Sequence, residues 1–158
     1  MNVVLVEPEI PPNTGNVARL CAATGSTLHL IEPFGFTLDD KQLKRAGLDY
    51  WQHLKWHRWS DWPSFQKQLP TDARLWLVES HGERHYAKVP YEPNDYLVFG
   101  RETAGLPCAI LDQYQDRWLR IPMFHAGVRS LNLSNCVALV VYEALRQQGF
   151  SGEIGSQK

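Results

Sequence analysis

IPMFHAGVRSLNLSN, residues 121–135, separates a predicted strand at 117–121 from the strongest helical run of the chain at 136–148. The stretch contains most of the polar side chains that a ligand site needs: His125, Arg129, Ser130, Asn132, Ser134 and Asn135. In open α/β sheets, ligands usually bind where a strand ends and the following helix begins. The stretch therefore predicts an α/β fold with a binding site near its C-terminal end.

The remainder of the chain alternates between strand and helix patterns. Short apolar runs predict strands at 2–6, 27–31, 74–79 and 95–99, with a further short one near 53–56. Helices are predicted at 15–24, 40–46, 62–69 and 108–113. This alternation is typical of a mainly parallel sheet with helices on both faces. We expect one domain over residues 1–150, followed by a flexible tail at 151–158.

The ends of the first helix carry recognisable signals. Asn13, Thr14 and Asn16 are all residue types that cap the start of a helix. Gly25 is suited to the left-handed position that ends one. The pattern predicts a helix that begins after these polar residues and ends at Gly25.

The last helix has apolar side chains around nearly its whole circumference. Such a helix needs burial on every side. In a chain of 158 residues the simplest cover is a second copy, so the pattern predicts a homodimer. A charge at Val140 or Val141 would then be expected to separate the two copies.

Composition narrows the class of protein. The net charge of −1 argues against a protein that coats nucleic acid over its whole surface, although it allows a local basic patch. The three cysteines lack C-x-x-C spacing and are odd in number, which favours reduced thiols and a cytoplasmic location. No apolar run is long enough for a membrane span.

Two histidine pairs have the i, i+4 spacing of a metal site: His53 with His57, and His81 with His85. Neither pair lies on a convincing helix or has a third ligand nearby, so we predict no metal. Cys108 and Cys136 are expected to be small packing residues.

Three loops follow predicted strands and soon reach Gly or Pro: 80–82, 100–107 and 122–135. Close approach of backbone to a flat polar ligand, such as an adenosine, needs this composition, although ordinary turns share it. Glu102 either accepts hydrogen bonds from a substrate or caps the turn that follows it, and by itself the cap is favoured. Arg19 suits a phosphate, but a lone surface arginine is usually only solvated.

Taken together, four stretches resemble one family. They are EPEIPPNTGN at 7–16 with Arg19-Leu20-Cys21-Ala22, RAGLDY at 45–50, FGRETAGLP at 99–107, and IPM at 121–123 with RSLNLSN at 129–135. In this order and spacing they are similar to the SPOUT class of RNA methyltransferases. More narrowly, they resemble the small YibK/TrmL-type tRNA 2′-O-methyltransferases, over about residues 2–150.

The resemblance implies a deep trefoil knot at the C-terminal end, a homodimer and S-adenosyl-L-methionine as the cofactor. It assigns cofactor contacts, several through backbone groups, to Val78, Ser80, Gly100, Ile121, Met123, Ser130 and Leu131. It assigns catalysis or substrate binding to Asn13, Arg19, Glu102, Ser130 and Asn132. Contact with tRNA is expected from Lys41, Lys44, Arg45 and Arg129, with Tyr142 close by.

The activity that the resemblance implies is methylation of the ribose 2′-OH of the wobble nucleotide, cytidine or a 5-carboxymethylaminomethyluridine, in leucine tRNAs. Two alternatives remain: a SPOUT enzyme that methylates ribosomal RNA, and a non-catalytic module that binds RNA or a nucleotide. Arg101, the Ser80-His81 pair and the 124–128 spacer depart from the usual family pattern. These departures bear on substrate preference and not on the class of enzyme.

Overall fold

The computed structural model describes residues 1–37 and 48–155, apart from the side chains of residues 48 and 49. The helix predicted at 40–46 lies outside this part of the chain. So do three of the predicted RNA contacts, Lys41, Lys44 and Arg45.

Within residues 1–37 and 48–155, seven strands form one sheet in which every neighbouring pair is parallel. The strands are β1 Asn2–Val6, β2 Thr27–Ile31, β3 Trp56–Trp59, β4 Leu75–Val78, β5 Arg84–His85, β6 Tyr96–Phe99 and β7 Trp118–Arg120. Their order across the sheet is β3-β2-β1-β6-β4-β7-β5. The predicted parallel α/β sheet is confirmed.

Helices cover both faces of this sheet. They are α1 Pro11–Thr24, α2 Trp62–Gln66, α3 Cys108–Leu111 and α4 Leu133–Gln147, with 3₁₀ turns at Leu48–His53, Tyr86–Lys88 and Asp112–Arg117. Alternate residues of a strand point to opposite faces. Val3 and Leu5 accordingly pack with α1 and α4, whereas Val4 and Val6 pack with α2 and α3.

Helix α1 begins four residues earlier than predicted. Pro11 and Pro12 occupy its first positions, where a residue without an N–H costs the helix nothing. Ile10 is the N-cap and makes no side-chain cap bond, so the prediction of Asn13, Thr14 or Asn16 as the cap was wrong. The side chain of Asn13 is thereby free for another role. The predicted end at Gly25, with φ of 65°, is confirmed.

Helix α4 also begins earlier than predicted, because the Asn132 side chain accepts a hydrogen bond from the Ser134 N–H and caps it. Its burial is one-sided in a single chain. Val140 and Val141 are fully buried in the core, while Leu139 is 40% and Tyr142 50% exposed. The expectation that a charge at Val140 or Val141 would separate two copies was therefore wrong. Both side chains are buried in the core of a single chain, so a charge there would disrupt folding.

The short elements differ most from expectation. The strand expected near 53–56 lies instead at Trp56–Trp59, and the two-residue β5 was not predicted at all. Helix α2 begins where predicted, after Asp61, whose carboxylate accepts from the Ser64 N–H at 2.7 Å. It ends at Gln66, three residues early. Short elements contain too few residues for hydrophobic periodicity to locate their ends.

A buried carboxylate joins the starts of three segments. Asp95, 1% exposed, accepts hydrogen bonds from Trp76 Nε1 at 2.8 Å and from the Glu92 N–H at 2.9 Å. The Arg74 guanidinium lies 3.2 Å from the other carboxylate oxygen of Asp95. The backbone carbonyl of Asp95 accepts a hydrogen bond from the Asn2 N–H at 2.9 Å. These contacts fix the amino ends of β1, β4 and β6 together.

Asp95→Ala should lower the free energy of unfolding by about 3 kcal/mol, since the buried indole N–H loses its acceptor and Arg74 loses a counter-charge. Urea denaturation at pH 7 measures this. Asp72→Ala removes an exposed carboxylate nearby and should change stability by less than about 0.5 kcal/mol. Equal losses in the two variants would contradict a stabilising role for the Asp95 contacts.

Candidate functional site

A cavity of about 650 Å³ opens at the carboxyl ends of β4, β6 and β7. All seven predicted cofactor residues line it: Val78, Ser80, Gly100, Ile121, Met123, Ser130 and Leu131. Asn13, Glu102, Arg129 and Asn132, predicted for catalysis or RNA binding, line it as well. The fold thus brings together the loops that sequence analysis selected separately.

The loop after β6 is closed on itself. Arg101 and Gly105 exchange two backbone hydrogen bonds, each of 3.0 Å. A Cβ at Gly100 would lie 2.1 Å from the Gly105 carbonyl carbon, and Gly105 has a φ of +68°. The tight turn therefore requires glycine at both positions.

The sequence favoured Glu102 as the cap of the turn that follows it, but the structure shows other partners for its carboxylate. Its carboxylate accepts from the backbone N–H groups of Glu9 at 2.8 Å and Ile10 at 3.2 Å, and from the Asn13 side-chain amide at 3.0 Å. The first two donors lie just before Pro11, at the start of α1. A negative charge at the amino end of a helix is electrostatically favourable.

Asn13 continues the network to the last helix. Its side-chain oxygen accepts from the Asn132 amide at 2.9 Å, and Asn132 in turn caps α4. Three residues from three distant segments, Glu102, Asn13 and Asn132, are thus joined in one chain of hydrogen bonds. The network bridges positions 119 residues apart and sets one wall of the cavity.

A reciprocal pair strengthens the same junction. The Glu9 carboxylate accepts from the Thr103 N–H at 3.0 Å and from the Thr103 hydroxyl at 2.8 Å. These hydrogen bonds, led by the side-chain one, lower the pKa of Glu9. Glu9 therefore holds Thr103 while the neighbouring Glu102 holds the Glu9 N–H, so the two loops are locked from both sides.

Glu79 is a cavity residue that sequence analysis missed, because the pattern placed it as the last residue of a strand. The strand ends at Val78, and Glu79 lies in the loop with its half-buried carboxylate lining the cavity. Burial raises the pKa of this carboxyl. Its position between a predicted strand and the predicted site loop at 80–82 was the signal that could have identified Glu79 as a cavity residue.

Arg19 does not line the cavity. It lies six residues along α1 from Asn13, about 9 Å by helical rise. Its side chain is exposed, with Nη2 donating to the Tyr50 hydroxyl at 3.3 Å and the guanidinium carbon 4.8 Å from the centre of the Tyr50 ring. Tyr142, half exposed on α4, is likewise not part of the lining.

The histidines make other contacts. The ring of His57 stacks on that of His29 at 5.2 Å, and His85 Nε2 lies 2.9 Å from Arg120. His125 Nδ1 accepts from the Gly127 N–H at 3.1 Å and does not line the cavity. Among residues 1–37 and 48–155, no group of three or more His, Cys, Asp or Glu side chains is arranged to hold a metal ion.

The first 142 residues match the model of the SpoU rRNA methylase family. The chain belongs to this family. A tRNA (cytidine(34)-2′-O)-methyltransferase of Saccharophagus degradans is 54% identical over 154 residues, covering 96% of this chain and 97% of the relative.

Solved structures of the same family have the same fold. One, described as giving structural insights into the 2-OH methylation of C/U34 on tRNA, aligns with a TM-score of 0.90 and 44% identity, over 94% of this chain and 96% of that one. A second is the SpoU methyltransferase AviRb from Streptomyces viridochromogenes in complex with the cofactor AdoMet. It aligns with a TM-score of 0.80 and 25% identity, over 96% of this chain and 61% of that one.

Family membership confirms the fold class that the four motifs indicated. A deep trefoil knot at the C-terminal end is what this fold implies. Within the described residues, 1–37 and 48–155, no helix is long and apolar enough to cross a membrane.

Gly105→Ala should destabilise the site loop beyond the cost of its left-handed backbone. A Cβ there would lie 2.4 Å from Glu79 Oε1, whereas Gly149, with a similar φ of +65°, has nothing within 4 Å of the same position. Gly149→Ala should cost about 1–2 kcal/mol for backbone strain alone.

Gly105→Ala should cost more than this, by an amount that falls in the double variant with Glu79→Gly. Thermal unfolding of the unmodified protein, of the three single variants and of the double variant measures the difference. Identical losses at the two glycines would show that the Glu79 contact has no energetic weight.

Proposed function

We propose that the chain is an S-adenosyl-L-methionine-dependent RNA 2′-O-methyltransferase whose substrate is the nucleotide at position 34 of tRNA. The observation that carries the proposal is the cavity closed on one side by the Glu102–Asn13–Asn132 network. The relatives that share almost the whole length of the chain are tRNA (cytidine(34)-2′-O)-methyltransferases, which supports the choice of RNA.

The residues present fit this cofactor. Val78, Ile121 and Leu131 offer apolar surface to an adenine ring, and Gly100 leaves backbone close to the cavity. Ser80 and Ser130 bring hydroxyl groups to the same space. Such a mixture of apolar walls and a few convergent polar groups is typical of a nucleoside pocket.

The bound cofactor would supply a methyl group already activated on a sulfonium. The protein must then place the ribose 2′-OH in line with that methyl and accept its proton. Asn13 and Asn132 are held rigidly by the network and can orient a hydroxyl group, with Ser130 beside them.

Arg19 is best suited to the RNA phosphate. A guanidinium is a poor general base because its pKa exceeds about 12, but it binds phosphate oxygens with two parallel donors. Its exposure, and its absence from the cavity lining, support a contact with the backbone of a bound nucleotide. Its main role is thus to position an RNA phosphate. If Arg19 also helps to remove the 2′-OH proton, the adjacent phosphate shares that role.

The RNA target is tested by methyl transfer. Tritiated S-adenosylmethionine, purified protein and RNA from a strain lacking the gene should give labelled tRNA and unlabelled ribosomal RNA. Mapping of modified nucleosides should then place the label on the ribose of nucleotide 34. Label in ribosomal RNA would support the rRNA alternative, and absence of transfer would support a binding module. The resemblance implies leucine tRNAs with cytidine or a modified uridine at position 34 as the substrates.

We further propose that the enzyme acts as a homodimer in the cytoplasm, where tRNA is found. Leu139 and Tyr142 are three residues apart on the exposed side of α4, so they form one outward apolar face. Arg129 is exposed at the cavity mouth and would join Lys41, Lys44 and Arg45 in RNA contact. No metal is required for the chemistry.

Leu139→Asp and Tyr142→Asp should each convert the dimer to a folded monomer, since a charge on the exposed apolar face opposes association but leaves the core intact. Light scattering coupled to gel filtration gives the mass, and circular dichroism gives the fold. Val140→Asp is the contrast: its charge enters the core and should abolish folding. Dimers that persist in both surface variants would remove α4 from the interface.

Arg19→Ala should reduce methyl transfer by about 100-fold through loss of substrate alignment. Cofactor affinity, measured by calorimetry, should be unchanged because Arg19 does not line the cavity. Arg84→Ala removes another exposed arginine outside the lining and serves as the control. Turnover equal to that of the unmodified enzyme would exclude a role for Arg19.

A further inference from the structure

Glu79 is the one carboxylate of the cavity for which the structure shows no function. Glu102 holds the start of α1, but Glu79 takes part in none of the ion pairs found in residues 1–37 and 48–155. Its Oε2 receives one long hydrogen bond, from the Leu106 N–H at 3.4 Å. The side chain is nonetheless packed, because Gly105 leaves it room that any Cβ would occupy.

The carboxylate has acceptor capacity to spare. Its two oxygens offer about four lone-pair sites, and its protein donors are the backbone N–H groups of Leu106 and Ser80. His81, which also lines the cavity, lies close enough to act on the charge of Glu79, but the structure shows no hydrogen bond or ion pair between the two side chains. A half-buried charge is normally matched by donors or by an opposite charge. Since Glu79 lines the cavity, a ligand there is placed to supply the missing donors.

The strand order indicates which part of the cofactor Glu79 faces. Asn13 follows β1 and Glu102 follows β6, so the reaction end of the site lies over those two strands. Glu79 follows β4, which lies on the other side of β6 and next to β7. It is therefore displaced from the reaction end toward the apolar wall of Val78 and Ile121, which suits the adenine.

The ribose of S-adenosylmethionine lies between its adenine and its sulfonium, and carries two adjacent hydroxyl groups. We propose that the Glu79 carboxylate accepts hydrogen bonds from the 2′- and 3′-hydroxyl groups of the cofactor ribose. The inference rests on the proposed use of this cofactor. It makes Glu79 a specificity residue for the ribose.

Calorimetric binding of S-adenosylhomocysteine and of its 2′,3′-dideoxy analogue tests the contact without any methyl transfer. Hydrogen bonds to a charged group contribute about 1.5–3 kcal/mol, or roughly 10- to 150-fold in affinity. Glu79→Gln should therefore weaken binding of S-adenosylhomocysteine by at least about 10-fold, and binding of the dideoxy analogue hardly at all. Glu83→Gln, an exposed glutamate outside the lining, is the matched control and should bind both ligands as the unmodified protein does.

Three binding results for Glu79→Gln would overturn the assignment. Equal weakening of both ligands would show a general effect on the pocket. Unchanged binding of S-adenosylhomocysteine with weakened binding of S-adenosylmethionine would assign Glu79 to the sulfonium charge. Unchanged binding of all three ligands would leave Glu79 with no cofactor contact. If the unmodified protein binds none of them, the proposed cofactor fails together with this inference.

Stability of the free protein separates a ligand contact from a structural one. Burial raises the pKa of Glu79 in the folded state above its unfolded value, so its ionisation costs stability as pH rises through the unfolded pKa. Glu79→Gln removes that cost, and the melting temperature at pH 7 should be equal or higher. A lower melting temperature together with weaker binding would indicate a structural role and would overturn the proposal.

Discussion

The position of the Glu102 carboxylate determines how the site loops meet. It accepts from two N–H groups at the start of α1 and from Asn13, and Asn13 is bound in turn to the cap of α4. Hydrogen bonds to an ionised carboxylate are about twice as strong as neutral ones, and partial burial protects them from water. The beginnings of both long helices and one wall of the cavity are therefore parts of a single polar structure. The Glu9–Thr103 hydrogen bonds and the Arg101–Glu7 ion pair join the segment before α1 to the loop after β6 as well, and the Asn13–Asn132 bond extends the connection to α4.

Two prolines explain why a glutamate from a distant loop is used in this way. Pro11 and Pro12 have no N–H, and the N–H groups of Asn13 and Thr14 are already satisfied by the Ile10 carbonyl. The donors left at the start of α1 are those of Glu9 and Ile10, which point away from the helix and toward Glu102. The Asn13 side chain is consequently not needed as a cap, and it can connect Glu102 to Asn132. The two prolines therefore leave the N–H groups of Glu9 and Ile10 as the donors for Glu102.

The two long helices use burial differently. Helix α1 is wedged against α4 and the sheet, so its apolar residues Val17, Ala18 and Cys21 are buried within one chain. Helix α4 buries Val137, Val140, Val141 and Ala144, and leaves a second apolar face in solvent. We propose that a second copy of the chain covers this exposed apolar face. The same helix would then support the core, the cavity and the assembly.

Local sequence determined most of the strands, the class of fold and the site loops, because apolar runs, Gly and Pro act over a few residues and the four motifs are specific in combination. All seven predicted cofactor residues line one cavity for this reason. Local sequence could not determine where α1 and α4 begin, since the competition between prolines, caps and a distant carboxylate is settled only by contacts. Tertiary structure alone brought Glu102, Asn13 and Asn132 together, placed Glu79 in the cavity and left Arg19 outside it. Those facts depend on which loops the parallel sheet makes neighbours, and no short stretch of sequence encodes that order.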